Sequence, residues 1–408
     1  MSQGVDASRI PIERRRGERR RSPRPDTGGR SLAERLGSLE VVVCCGGGGV
    51  GKTTLSASLA MALATTLDKR VLVLTVDPAK RLATALGIKG IGNDPVVISR
   101  ARLRRAGAPA HGELSAAMLD MKSTWDRMVE RYAPDRKTAA RLMRNRFYQR
   151  ISDAFVGSHE YAAMEALYEL HQAGEFDCVV VDTPPSRNAL DFLEAPERVS
   201  DYVGARLLSW LAGPSRFGVR AMNFAAAPFM RLADRLLGSD VLSEVSEFVR
   251  ELEQLYGGVQ QRARAVYQLL RSPSVGFVVV TTLEPGPFAE AEFFCTKLRD
   301  FSMPLRALVV NRVLPDSLRD PRGEAAASAL AENGNVARWL TGELGEHVRP
   351  DTTRAIGENH LMFAALARRN AAQLQRLQRI GDVAVTRVPL FTDEVGELEG
   401  LVRIASLL

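Results

Sequence analysis

The residues Gly46-Gly47-Gly48-Gly49-Val50-Gly51-Lys52-Thr53-Thr54 fit the pattern G-x-x-x-x-G-K-[ST]. Their chemistry is anion binding. A glycine-rich turn lets backbone N–H groups wrap phosphate oxygens, and the N-terminus of a following helix adds positive potential. Gly46, Gly48, Gly49, Val50 and Gly51 are expected to form the cradle. Lys52 is expected to reach the β- and γ-phosphates, with Thr53 binding Mg²⁺ through its hydroxyl and Thr54 counted with the nucleotide-binding residues. ATP and Mg²⁺ are thus the expected cofactors.

Two acids have positions suited to completing that chemistry. Asp77 ends the apolar run Val71-Leu72-Val73-Leu74-Thr75-Val76 and is followed by Pro78-Ala79. An acid at a strand end beside a phosphate loop can orient or deprotonate an attacking water, and with Lys52 it makes the expected catalytic pair. As an alternative, Asp77 caps the next helix. Asp182 ends Cys178-Val179-Val180-Val181 and precedes Thr183-Pro184-Pro185. This is a Walker B arrangement, in which the carboxylate holds Mg²⁺ through water. Asn311 closes the strand Pro304–Val310, where its amide either reads a base or serves a turn.

These groups need strands that end along one crevice, as in an open parallel sheet. Val41-Val42-Val43-Cys44-Cys45 reads as a strand buried on both faces, and Leu55–Leu67, rich in Ala and Leu, as a helix. Strands are further expected at 70–77, 176–182, 274–281, 304–311 and 382–388, and helices at 287–301, 361–380 and 392–408. Residues 114–170 read as helical: Leu114, Met118, Met121, Trp125, Met128 and Tyr132 recur at spacings of four and three. That stripe is either core or an adaptable groove. A second helical region spans 197–270. The expected class is α/β: a P-loop NTPase with a mostly parallel central sheet flanked by helices, plus an inserted helical subdomain built from about 112–172 and 197–270.

The composition excludes several classes. Among 408 residues, 45% are hydrophobic and 25% charged, ordinary for a globular protein. No apolar run reaches the ~20 residues that cross a bilayer. The net charge is +7, but nine arginines against four acids in residues 1–30 account for five of those charges. Residues 1–30 are expected to be a disordered Arg-rich tail, with the domain at 31–408 and its folded part beginning near Leu39. The near-neutral body predicts no specific nucleic-acid partner. Four cysteines without a C-x-x-C pair indicate a reducing compartment and core thiols. The expected location is the cytoplasm, with peripheral attachment to a membrane also open.

The string GGGGVGKTT, the turn Asp77-Pro78-Ala79, the segment Asp182-Thr183-Pro184-Pro185-Ser186-Arg187 and the strand end Val309-Val310-Asn311-Arg312 resemble the ArsA/GET family. This is a deviant Walker A group of anion-transporting, arsenical-pump-driving and tail-anchored-protein-targeting ATPases. The resemblance is greatest to bacterial ArsA-like anion transporter subunits. It implies that Asp77 is the switch I acid, that Asp182–Leu193 is switch II, that Asn311 reads adenine, and that Pro389-Leu390 cover the base. It also implies a dimer that opens and closes with nucleotide state, and a Met-lined groove for an apolar helix or membrane-protein client, drawing on Met118, Met121, Met128, Met222 and Phe229. The family's trans-acting lysine falls at Gly47, so this chain lacks it; an ArsA-like paralogue that retains the lysine is the expected partner, with a homodimer as the alternative. Soft As(III) needs thiolates, and no cysteine set converges in a loop, which disfavours arsenite. Two other readings stay open: a nucleotide-binding regulatory subunit with little hydrolysis, and a ParA/MinD-like positioning ATPase.

Overall fold

The computed structural model describes residues 30–76, 81–88, 90–109, 111–145, 148, 158–183, 258, 261–344, 349–380, 383–393, 395 and 397–408. Eight strands form one sheet: β1 (Val41–Gly46), β2 (Arg70–Thr75), β3 (Val96–Val97), β4 (Glu113–Met118), β5 (Cys178–Asp182), β6 (Val275–Thr281), β7 (Leu305–Val313) and β8 (Ala384–Pro389). Their order is β3-β4-β2-β5-β1-β6-β7-β8, parallel throughout except for the two-residue β3, which pairs antiparallel with β4. The fold is therefore the expected α/β type with a mostly parallel sheet.

Strand β1 lies between β5 and β6, and its residues feed both faces of the sheet. Val42 and Cys44 join a cluster with Leu59, Leu63 and Leu401, while Val41, Val43 and Cys45 join one with Met164, Leu167 and Phe294. A continuous apolar run suits a strand covered on both sides. Helix α1 (Leu32–Leu36) and helix α2 (Lys52–Leu67) lie on the first face. The body starts earlier than Leu39: Ser31 caps α1, with Glu34 returning a bond to the Ser31 N–H, and Leu32 and Leu36 are buried.

Between β2 and β4 lie α3 (Arg81–Leu86) and α4 (Arg100–Arg105). After β4 come α5 (Met121–Tyr132), α6 (Arg136–Arg144) and α7 (Ser158–Ala173). The helix expected from Leu114 onward is corrected here. Leu114 and Met118 belong to β4, which pairs with β2 from Arg70↔Glu113 to Thr75↔Met118. Helix α5 begins only after Asp120, whose carboxylate caps it by accepting from the Lys122 N–H. The stripe divides accordingly: Met118 packs on the first-face cluster, and Met128, 3% exposed, is core on the other. Met128 is thus core, while Met118 is only half-buried against its cluster. The Met121 side chain, Met222, Phe229, nearly all of 197–260 and the tail before Arg30 lie outside the described residues.

Glu165 on α7, fully buried, ties this side together. It accepts from the Nε of Arg262 at 2.9 and 3.0 Å and from the Tyr132 hydroxyl at 3.3 Å. A buried carboxylate needs such partners.

After β6 come α8 (Pro285–Asp300), β7, and the hairpin-like set α9 (Pro321–Glu332), α10 (Gly334–Leu344) and α11 (Pro350–Leu377). β8 and α12 (Leu398–Ala405) follow, with α12 packed on α2. Helix α12 is shorter than expected because Thr392 and Asp393 form bends before it. Helix α11 starts at Pro350, earlier than expected, because proline is well placed in a first turn.

Candidate nucleotide site

The phosphate loop joins the C-terminal end of β1 to the N-terminus of α2. Gly46 has φ 151°, and a Cβ there would stand 2.0 Å from the Val280 carbonyl oxygen, so only glycine lets β1 and β6 close at this point. Gly51 has φ 90° and directly precedes the helix. Among the described residues no side chain caps α2. Its first N–H groups are the kind that an anion satisfies.

Lys52 is 7% exposed, and its Nζ donates to the Gly47 carbonyl at 2.6 Å. The ammonium is folded across its own loop. Thr53 is half-buried one residue on.

Asp182 lies at the end of β5, level with Cys44 of β1 and Thr75 of β2. It is fully buried. Ser56 of α2 donates to one carboxylate oxygen at 3.4 Å and Thr75 to the other at 3.0 Å. The next residue, Thr183, donates its hydroxyl to the Cys44 carbonyl at 2.9 Å. The expected loop and acid therefore meet through α2. Ser56 and Thr75 were not singled out from sequence; the visible signal was Ser56 one turn after Lys52.

Asn311 lies near the end of β7 and reaches the loop. Its Nδ2 donates to the Val50 carbonyl at 2.8 Å, and its Oδ1 accepts from the Arg312 N–H. A carboxamide carries two N–H donors and two oxygen lone pairs, so this one can pair with a base and keep its Val50 bond. Pro389 ends β8 opposite Val313, so Asn311 and Pro389 share one end of adjacent strands; Leu390 beside it is exposed. Asp77, Pro78, Ala79 and 184–193, including Arg187, lie outside the described residues.

The residues present fit a magnesium nucleotide. The loop offers backbone donors and an ammonium, and Asp182 offers a buried carboxylate that already accepts from two hydroxyls. Among the described residues no three His, Cys, Asp or Glu side chains form a metal cluster. Mg²⁺ would thus be held by one or two protein oxygens and by phosphate, as that ion prefers.

The four thiols do not serve this site as ligands. All are buried and free, and burial pushes Cys44 and Cys178 up to about 12 and Cys295 to about 11. Thiolate is the reactive form. The folded protein should therefore give no rapid reaction with a disulfide reagent at pH 8, and all four thiols should react once it is unfolded. Arsenite should leave its thermal midpoint unchanged.

Comparison with known proteins agrees with this geometry. The family model "Anion-transporting ATPase" matches residues 39–332. The chain is 28% identical over 284 residues to the ATPase get3 of Schizosaccharomyces japonicus, covering 68% of this chain and 76% of that protein. It is 25% identical over 286 residues to an ATPase ASNA1 homolog of Entamoeba dispar, covering 68% and 77%. A candidate arsenical pump-driving ATPase of Aquifex aeolicus is 23% identical over 277 residues, covering 67% and 80%. With well over half of its length matched, and a P-loop, buried acid and parallel sheet in the arrangement described, the chain belongs to the anion-transporting ATPase family.

Proposed function

We propose that this protein binds Mg-ATP at the Gly46–Thr54 loop and hydrolyses it, coupling the cycle to opening and closing of a dimer. The work served would be anion transport or the targeting of membrane proteins. One observation carries the reading: the phosphate loop with its folded-back Lys52 leads into α2, and Ser56 in the first turns of that helix bonds the buried Asp182, which Thr75 also bonds. In the proposed assignment Lys52 binds the β- and γ-phosphates. Thr53 and Asp182 hold Mg²⁺, which supplies charge neutralisation at the transferring phosphoryl group. Asp77 orients the attacking water and accepts its proton. Asn311 and Pro389 flank the base. A helical subdomain including 197–270 is part of the same proposal. No helix among the described residues is long and apolar enough to cross a membrane.

Gly47 favours a second reading, a nucleotide-binding subunit that hydrolyses little by itself. Asp77→Asn provides the test. The amide fills the same space yet accepts no proton as a carboxylate does. ATP binding should persist while single-turnover hydrolysis falls by roughly 10²–10⁴. Undiminished turnover would remove Asp77 from the role. Absence of any ATP binding by the unmodified protein would refute the function itself.

A further inference from the structure

Helix α11 buries its small residues and exposes its large ones. A Cβ on Gly357 would stand 2.5 Å from the Ala327 carbonyl oxygen of α9, and Ala364 and Ala367 are buried. Ile356, Met362, Phe363 and Leu366 are exposed, Met362 by 60%. A helix on a globular body ordinarily does the reverse. With Trp339 on α10, these make five of the eight exposed large apolar side chains among the described residues, all within 339–366. Scattered apolar residues mean little, but such a concentration marks a contact surface.

The exposed row has a pattern. Ile356, Asn359, Phe363, Leu366 and Asn370 recur at spacings of three and four, the seven-residue repeat by which one helix pairs with another. We infer that this face pairs with a second copy of itself, antiparallel, across a two-fold axis at Ala364–Ala365. The row is symmetric about that point. Phe363 falls opposite the partner's Leu366, and Asn359 opposite the partner's Asn370. A carboxamide both donates and accepts, so two of them bond each other, and such a polar pair in an apolar seam fixes register. The contact is self-complementary, as a two-fold interface must be.

The anchoring of α11 selects the antiparallel sense. One heptad beyond Asn370 the same row reaches Leu377, fully buried with Phe288, Val310 and Leu374. There Arg376 also pairs with Glu292 of α8 at 2.7 Å. That end of the face is filled by the protein's own body. A parallel copy would bring a second body to the same end, whereas an antiparallel copy sets the two bodies at opposite ends. The patch offers on the order of 500 Å² of apolar surface, about the non-polar share of the ~800 Å² that one partner gives a standard interface. The pairing uses no residue of the phosphate loop and needs no nucleotide, so it stands apart from the function proposed above.

Sedimentation equilibrium of the full chain without nucleotide should show a concentration-dependent dimer. Phe363→Glu should weaken that dimer about 30-fold or more. Its far-ultraviolet circular dichroism should be unchanged, because the residue is exposed in the single chain. Asn359→Lys with Asn370→Lys should abolish pairing, since like charges then meet. Asn359→Lys with Asn370→Glu should preserve it, because each lysine then meets a glutamate across the axis. Loss of the dimer in both double variants overturns the antiparallel register. A monomer at every concentration overturns the self-pairing, and so does a monomer that holds a P-loop paralogue or an apolar client helix on this face. A dimer that forms only with nucleotide and ignores all three variants belongs to the ATPase cycle and overturns it as well.

Discussion

Lys52→Ala should reduce ATP hydrolysis to background and weaken nucleotide binding severely, with the fold retained. The lysine is the loop's only side-chain cation, and developing charge on a transferring phosphoryl group is offset chiefly by such fixed charges. The same Nζ donates to the Gly47 carbonyl. Its removal therefore also deletes a charge-assisted hydrogen bond, costing about 1.5–3 kcal/mol. The variant should melt a few degrees lower, in one cooperative step. Two measurements check this: phosphate release, and binding of a fluorescent nucleotide. Hydrolysis and binding equal to those of the unmodified protein would disprove the assignment of the loop.

The isolated chain should hydrolyse ATP slowly, and a P-loop paralogue carrying a lysine at the position of Gly47 should accelerate it. A cation donated to the transferring phosphate from outside typically contributes roughly 10³–10⁵ in rate, or about 4–7 kcal/mol. Glycine has no side chain with which to supply one. The structure adds a condition. Because the Glu290 carboxylate lies 2.5 Å from where the new Cβ would sit, Gly47→Lys must displace Glu290 or pair with it. The single substitution should therefore gain less activity than Gly47→Lys combined with Glu290→Gln. Turnover at full rate by the purified protein alone, as monomer or homodimer, would contradict the prediction. So would affinity purification that recovers no P-loop paralogue.

Much of the site was legible because its signals are local. The loop, the strand before it and the helix after it are contiguous, and Asp182 announces itself by closing an apolar run. The error at Leu114–Met118 has a physical cause. Glu113-Leu-Ser-Ala-Ala-Met118 has no β-branched residue, and Leu114 and Met118 are four apart, which fits a helix as well as it fits two positions on one strand face. Pairing with β2 decided the matter, and pairing is not written in a local window. Helix α1 was missed although its signal was present, in Ser31-Leu-Ala-Glu34, a capping box. Glu290 was illegible for a different reason. It meets Gly47 only after β6 closes on β1, so no spacing in the chain announces the contact. Asn311 lay between: its place at a strand end was readable, but its bond to Val50 was not.

The central place of β1 also governs how the chain must be made. This strand is synthesised early, yet its two neighbours are β5 and β6, from residues 178–182 and 275–281. At the usual pace of ribosomal elongation, on the order of tens of seconds pass between the emergence of Val41-Val42-Val43-Cys44-Cys45 and that of its second partner. Through that interval an apolar, β-prone segment has two open edges and no native strand to pair with. Such segments invite association between nascent chains on one message. Expression of this protein should therefore depend on translation speed and on chaperones that shield its first strand, and slower growth at low temperature should raise its soluble yield.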